Sequence, residues 1–228
     1  MTGLMWIGFV PGASDAPDLE HQRFDVPGGT VLALSVDPEM AETEQGIVTW
    51  AALQNNVLSA YATAVDVVPL PLGSVFSAKH ALLAQAVQQA PVLQNAGEKL
   101  AGKVEYALHV RAAPTCVPSP TDVQSGRAYL VQRSRQRRCR TEVGRERTGA
   151  LAALAAVMTN AATDVCPLSR TGPDRVLDLA ALVPRSGISE MIKALHVAAN
   201  KADDVGLSCR LVGPGPAYSF AFPAGLHG

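Results

Sequence analysis

Between Lys103 and Arg111 the chain alternates without a fault: Val104, Tyr106, Leu108 and Val110 fall on one side, Glu105, Ala107, His109 and Arg111 on the other. A period of two marks a strand with one face buried, and the segments that follow it restrict the fold of the whole second half. Ala112 to Ser125, with three prolines, reads as a loop. A long helical stretch is expected from about residue 128 to 162, with Gly144 or Gly149 as the places where it would break. Two strand-like runs come next, Asp164 to Ser169 and Arg175 to Val183, separated by the turn residues Thr171-Gly172-Pro173-Asp174. Ser186 or Ser189 is placed to cap another helix, with Ile188, Met191, Ile192, Leu195 and Ala199 as its buried stripe, and Leu207 to Val212 reads as the closing strand. The order β-α-β-β-α-β is that of a ferredoxin-like fold, in which two crossovers place both helices on one face of a four-stranded antiparallel sheet.

The first hundred residues read as a separate α/β domain. Met5 to Val10 and Thr30 to Asp37 are strand-like, the second bounded by Gly28-Gly29 and Pro38. From Thr49 the period changes, and Trp50, Leu53, Val57 and Tyr61 trace one face of a helix. A short strand is expected over 66–72, then a helix marked by Leu82, Leu83, Ala86 and Val87. Pro91 is expected to end that helix and open a third one carrying Leu93, Ala96 and Leu100. The reading is an α+β protein of two domains, 1–102 and 103–228, the second ferredoxin-like with a long Arg-rich helix and an extended tail.

Composition narrows the functions open to such a chain. Hydrophobic residues make up 48% and charged residues 17% of 228, against roughly 25% charged in an average soluble protein, so some apolar surface is expected to stay exposed. The net charge of -1 gives no overall pull toward nucleic acid or anionic lipid. No Lys or Arg precedes His21, so the basic start of a secretory signal is missing, and the longest apolar run is about half of what a membrane span requires. A cytoplasmic protein is expected. Cys116, Cys139, Cys166 and Cys209 form no C-x-x-C pair and have no His at ligand spacing, so they read as buried or incidental thiols, not a metal site or disulfide framework. Neither phosphate-binding glycine motifs nor H-E-x-x-H nor G-x-S-x-G occurs. Glu105 and His109 share a strand face but stand roughly 13 Å apart along it, too far for proton relay. No catalytic residue, cofactor or metal is expected, and His21, His80, His196 and His227 read as surface residues.

Four segments carry a resemblance. Gln54-Asn55-Asn56-Val57-Leu58 leads into Val68-Pro69-Leu70-Pro71-Leu72-Gly73-Ser74-Val75-Phe76; Leu100-Ala101-Gly102-Lys103-Val104-Glu105-Tyr106 comes second; Gly126-Arg127-Ala128-Tyr129-Leu130 opens an Arg-rich helix; and Gly213-Pro214-Gly215-Pro216-Ala217-Tyr218-Ser219-Phe220 stands near the end. In this order, from about residue 54 to 222, they resemble the gas vesicle protein F/L family, whose segments read H-N-x-V-L, L-P-L-R-F-G-T-V-F, L-x-G-K-V-E-W and G-P-W-P-P-Y-S-F. Gln54, Pro71, Leu72 and Gly215 depart from that pattern where the family has His, Arg, Phe and Trp. The resemblance implies a non-catalytic accessory protein of gas vesicle formation that contacts the small, hydrophobic shell protein and other vesicle proteins, including the possibility of a minor place in the vesicle itself.

Within these segments Gly73, Phe76, Gly102, Gly126, Tyr129, Gly213 and Pro214 read as structural. Gly73 suits a turn that needs positive φ, with Phe76 anchoring it. Pro214 and Pro216 remove two backbone donors, so a stiff extended tail is expected, with Tyr218, Phe220 and Phe222 alternating on one side. Either that tail packs back on its own protein, joining the domains, which is the favoured reading, or Tyr218 and Phe220 anchor another subunit. From Arg127 to Arg147 eight arginines stand against two glutamates. Arg133, Arg137, Arg138 and Arg140 are therefore candidates for docking a partner on an otherwise solvated helix. The alternative is a ferredoxin-like module that binds RNA or a small ligand; for RNA it would need aromatics exposed on the central strands, where only Tyr106 is offered.

Overall fold

The computed structural model describes residues 2–12, 17–41, 43–114, 126–169, 172 and 174–222, apart from the side chains at 41, 126–132, 135, 136, 139 and 140. Two compact units emerge. The first holds Met1–Tyr106, Leu182–Arg185 and Val212–Gly228; the second holds Ala107–Ala181 and Ser186–Leu211.

The first unit is built on β1 (Gly3–Pro11), whose residues are almost all buried, as a central strand must be. It pairs antiparallel with β3 (Gly29–Val36), from Gly3 opposite Val36 to Pro11 opposite Gly29, with a register shift between Trp6 and Gly8. The edge strand β2 (Gln22–Val26) pairs with β3 through a tight turn where Gly28 has φ +91°. The sequence reading missed β2 because only Phe24 and Val26 carry strand-forming apolar side chains, and nothing in the strand is fully buried. On the other side of β1 lie β4 (Val68–Pro69) and β5 (Val75–Phe76), giving the order β2-β3-β1-β4 with β5 also on β1. The strand expected over 66–72 is thus reduced to two residues, since Pro69 and Pro71 cannot donate to a ladder.

A short α1 (Pro38–Ala41) precedes α2 (Glu44–Ala64), where the Thr43 hydroxyl accepts the Gly46 N–H at 3.0 Å as an N-cap. The buried face of α2 is Gln54, Val57, Leu58, Tyr61 and Ala62. Leu53, expected on that face, is 39% exposed, because the stripe is turned toward Gln54 and Leu58. Pro91 does not divide the next helix. α3 runs unbroken over Lys79–Leu100, and Leu82, Ala86, Leu93, Ala96, Gly97 and Leu100 form one continuous buried stripe through the proline. Pro91 sits on the exposed side with Val87 and Val92, both 52% exposed, so the carbonyl that loses its partner lies on the wet face. Val87, expected in the stripe, is on that outer face. Met5, Ile7, Val10, Leu32, Leu34, Val36, Val57, Leu58, Tyr61, Ala62 and Val67 form the core, with Trp50 and Tyr218 packed on its border.

The remaining elements are β6 (Lys103–Ala112), α4 (Gly126–Ala161), β7 (Asp164–Pro167), β8 (Arg175–Pro184), α5 (Ile188–Asp203) and β9 (Leu207–Gly215). Their sheet order, β7-β8-β6-β9, is the one a ferredoxin-like arrangement requires. In β6 the period of two holds throughout, with Val104, Tyr106, Leu108 and Val110 at most 3% exposed. α4 continues through Gly144 and Gly149 with no break, anchored by the buried Leu154 and Met158. α5 has no serine cap: a 3-10 turn, Arg185–Gly187, leads into it and Gly187 takes the N-cap position without a side-chain bond. Met191 and Leu195 are buried as expected, whereas Ile192 is 44% exposed.

Candidate functional site

Three of the four segments that carry the resemblance fall in the first unit, and they are bonded to one another. Gln54, 2% exposed, donates from Nε2 to the Leu70 carbonyl at 2.7 Å, tying the helix of the first segment to the loop that completes it. Gly102, with φ +68°, closes α3; its N–H donates to both carboxylate oxygens of Asp66 at 3.0 Å and its carbonyl accepts from Arg185 N–H. The Arg185 guanidinium reaches the carbonyls of Ala62 (2.7 Å), Val65 (2.9 Å) and Thr63 (3.3 Å), a cation at the C-terminal end of α2 where the last carbonyls need partners.

The tail is a clasp, not an extended arm. β9 continues through Gly213 and Pro214, which are joined by a cis peptide bond, and the chain then turns tightly, with Phe220 and Ala221 N–H both donating to the Ala217 carbonyl. Glu105 accepts two bonds from Ser219, from its N–H and its hydroxyl, each 2.8 Å. Burial raises the Glu105 pKa, and the two Ser219 bonds oppose that rise. Lys99 Nζ donates to the Phe220 carbonyl at 3.0 Å. Phe220 itself is 2% exposed, and Tyr218 is half-buried, its pKa pushed up to about 12 by burial and the Glu105 charge against the Gln54 amide. The family-motif positions thus have local reasons: Gly73 has φ +119°, and Gly213 has φ +138° with its Cα against Tyr106 and the Glu105 carbonyl. Phe76 is half-buried in β5, paired with Leu4.

Elsewhere the first unit keeps large apolar side chains in water. Met40, Ile47, Val48, Leu53 and Leu72 are between 37% and 61% exposed. Ile47, Leu72, Met5, Pro38, Trp50, Gly73 and Val75 line a cleft of about 430 Å³.

In the second unit Arg133, Arg137 and Arg138 are exposed along α4, while the side chains of Arg140 and Tyr129 and the environment of Gly126 lie outside the described residues. Arg147 has a structural task, donating to the Val205 (2.8 Å), Ala113 (2.9 Å) and Gly206 (3.3 Å) carbonyls. One ionic cluster escaped the sequence reading. Asp178 on β8, whose side chain is fully buried, meets His109 Nδ1 of β6 at 2.5 Å and the Arg175 guanidinium at 2.5 Å. Burial alone would raise its pKa, but bonds and charge from His109 and Arg175 together hold it below the usual carboxylate value. Tyr106, the aromatic an RNA-binding strand would have to present, is 3% exposed. Cys166 and Cys209 are half-buried, and among the described residues no three His, Cys, Asp or Glu are grouped as metal ligands. No helix among them is long and apolar enough to cross a membrane.

Fold and surfaces together define an α+β protein of two antiparallel-sheet units with a partly apolar exterior. The profile of the gas vesicle synthesis protein GvpL/GvpF family matches residues 26–221, and the chain belongs to that family. Its fold is similar to the crystal structure of the gas vesicle protein GvpF from Anabaena sp. PCC7120, with a TM-score of 0.72, 17% identity and 98% of each chain covered. It is also similar to that of GvpF from Microcystis aeruginosa, with a TM-score of 0.69, 15% identity, and 96% of this chain and 99% of the other covered. No curated protein sequence matches it.

Proposed function

We propose that this chain is a non-catalytic assembly factor of gas vesicles that binds the hydrophobic shell subunit, together with other vesicle proteins, in the cytoplasm. Family membership supports the setting, and one structural observation carries the binding role: Met40, Ile47, Val48, Leu53 and Leu72 all stay in water on the first unit. Of these, Ile47 and Leu72 share one cleft, and exposed apolar residues brought together in this way mark association surfaces. The Arg-rich face of α4, with Arg133, Arg137 and Arg138, is suited to orienting acidic vesicle components; Arg140 extends it in sequence. Phe220 and Tyr218 contribute by holding the first unit closed.

Co-expression with the shell subunit tests the proposal. The expected result is more soluble subunit and a complex recovered by affinity capture. An unchanged soluble fraction with no complex captured refutes the binding role.

A further inference from the structure

We infer that the cleft lined by Pro38, Ile47, Trp50, Leu72 and Val75 is the docking site for an apolar segment flanked by basic residues, supplied by the shell subunit. This deepens the preceding proposal and rests on it. The volume, about 430 Å³, is in the range of ligand pockets, roughly 300–1,000 Å³. Its walls are apolar and two of them, Ile47 and Leu72, are 47% and 37% exposed, so a binding segment has side chains to cover that no part of the first unit covers.

The rim supplies the charge. Three carboxylates, Asp37, Glu39 and Glu44, stand beside lining residues along the chain, with no Lys or Arg between Asp37 and Glu44. Asp37 and Glu39 flank the lining residue Pro38, and Glu44 lies one helical turn before the lining residue Ile47; all three are exposed. A carboxylate rim beside an apolar cleft favours an incoming segment that pairs apolar side chains with Lys or Arg and disfavours an acidic one. Within the lining, the Trp50 indole N–H is buried with no acceptor.

Trp50 also makes the inference measurable. Trp6, the other tryptophan, is 2% exposed with its indole donating to the Gly8 carbonyl, so a change in emission on binding reports Trp50. The full chain is titrated with the shell subunit and with two synthetic helical peptides of one apolar sequence, flanked by Lys or by Glu. The subunit and the Lys-flanked peptide are expected to shift the emission, the Lys form binding roughly tenfold tighter than the Glu form. Ile47→Lys with Leu72→Lys is expected to weaken both by roughly tenfold or more with circular dichroism unchanged. If that pair unfolds the chain, Glu39→Gln with Glu44→Gln serves instead, with a weakening of roughly threefold and a flatter salt dependence. Full-affinity capture of the subunit by these variants, or capture without an emission change, overturns the cleft while leaving the assembly role intact. Failure of the unmodified chain to capture the subunit sinks the assembly role itself. Light scattering that shows self-association lost in the variants assigns the cleft to a second copy and overturns the stated occupant.

Discussion

Replacing Gly213 with alanine should be among the most damaging single changes in the first unit. A Cβ at this position would stand 2.6 Å from Tyr106 Cδ1 and 2.8 Å from the Glu105 carbonyl oxygen, and the backbone φ is +138°. Tyr106 is 3% exposed and has no space to retreat, and the Glu105 carbonyl belongs to the strand itself. Holding a non-glycine residue at such a φ costs about 1–3 kcal/mol, and forcing a methyl into packed surroundings about 1–3 kcal/mol more. The expected loss is therefore about 2–6 kcal/mol by urea denaturation at an unchanged m-value. Gly149→Ala in α4 is the control: a Cβ there meets nothing, φ is helical, and alanine should stabilise by about 1 kcal/mol. A Gly213→Ala chain within about 0.5 kcal/mol of the parent would refute the packing argument.

Three further outcomes are expected. Asp178→Asn leaves the Arg175 guanidinium, 16% exposed, without its counter-charge, and should cost about 3–5 kcal/mol in denaturant titrations; because the Asp178 pKa is lowered on folding, its contribution is present above about pH 3.9 and is lost as pH falls through the lower folded value, a loss the Asn variant should not show. Tyr218, with its pKa raised to about 12, should appear as a late step in an ultraviolet absorbance titration that disappears in Tyr218→Phe; its stabilising contribution is full below about pH 10 and is lost as pH rises through that step. Arg185→Ala removes the donor to three carbonyls at the end of α2 and should cost about 1–3 kcal/mol by thermal or urea unfolding, with Lys failing to restore it fully because one ammonium cannot reproduce the planar fork.

Local signals predicted much of the fold. The period of two in Lys103–Ala112 and the order of elements after it gave the ferredoxin-like sheet, because strand pairing in that arrangement follows from hydrophobic faces and crossover handedness. The failures lie where tertiary packing overrides a local rule. Pro91 breaks an isolated helix but not one whose buried stripe continues on the opposite face. Leu53 and Ile192 are apolar at helical spacing, yet each sits off the packed face. The prolines of the tail predicted an extended chain, whereas Glu105, 114 residues away from Ser219, draws it into a turn. Asp178 and His109, 69 residues apart, carry no mutual signal in one sequence. The candidate surface was legible only as a prediction from composition that some apolar area stays wet; which side chains form it depends on how α2 is rotated, and that is settled by Gln54 and Leu58 turning inward.

Because residues 212–222 complete the first unit, a ribosome must have released the chain through residue 222 before the sheet and helices of residues 3–100 can gain their last packing partner. Until Phe220 arrives, the surface it covers beside Lys99 is open to whatever else is nearby. A protein whose proposed work is to attend a sticky companion would thus spend its own synthesis with a matching vulnerability, and removing residues 212–222 should be felt first in the sheet and helices of residues 3–100, more than a hundred positions earlier.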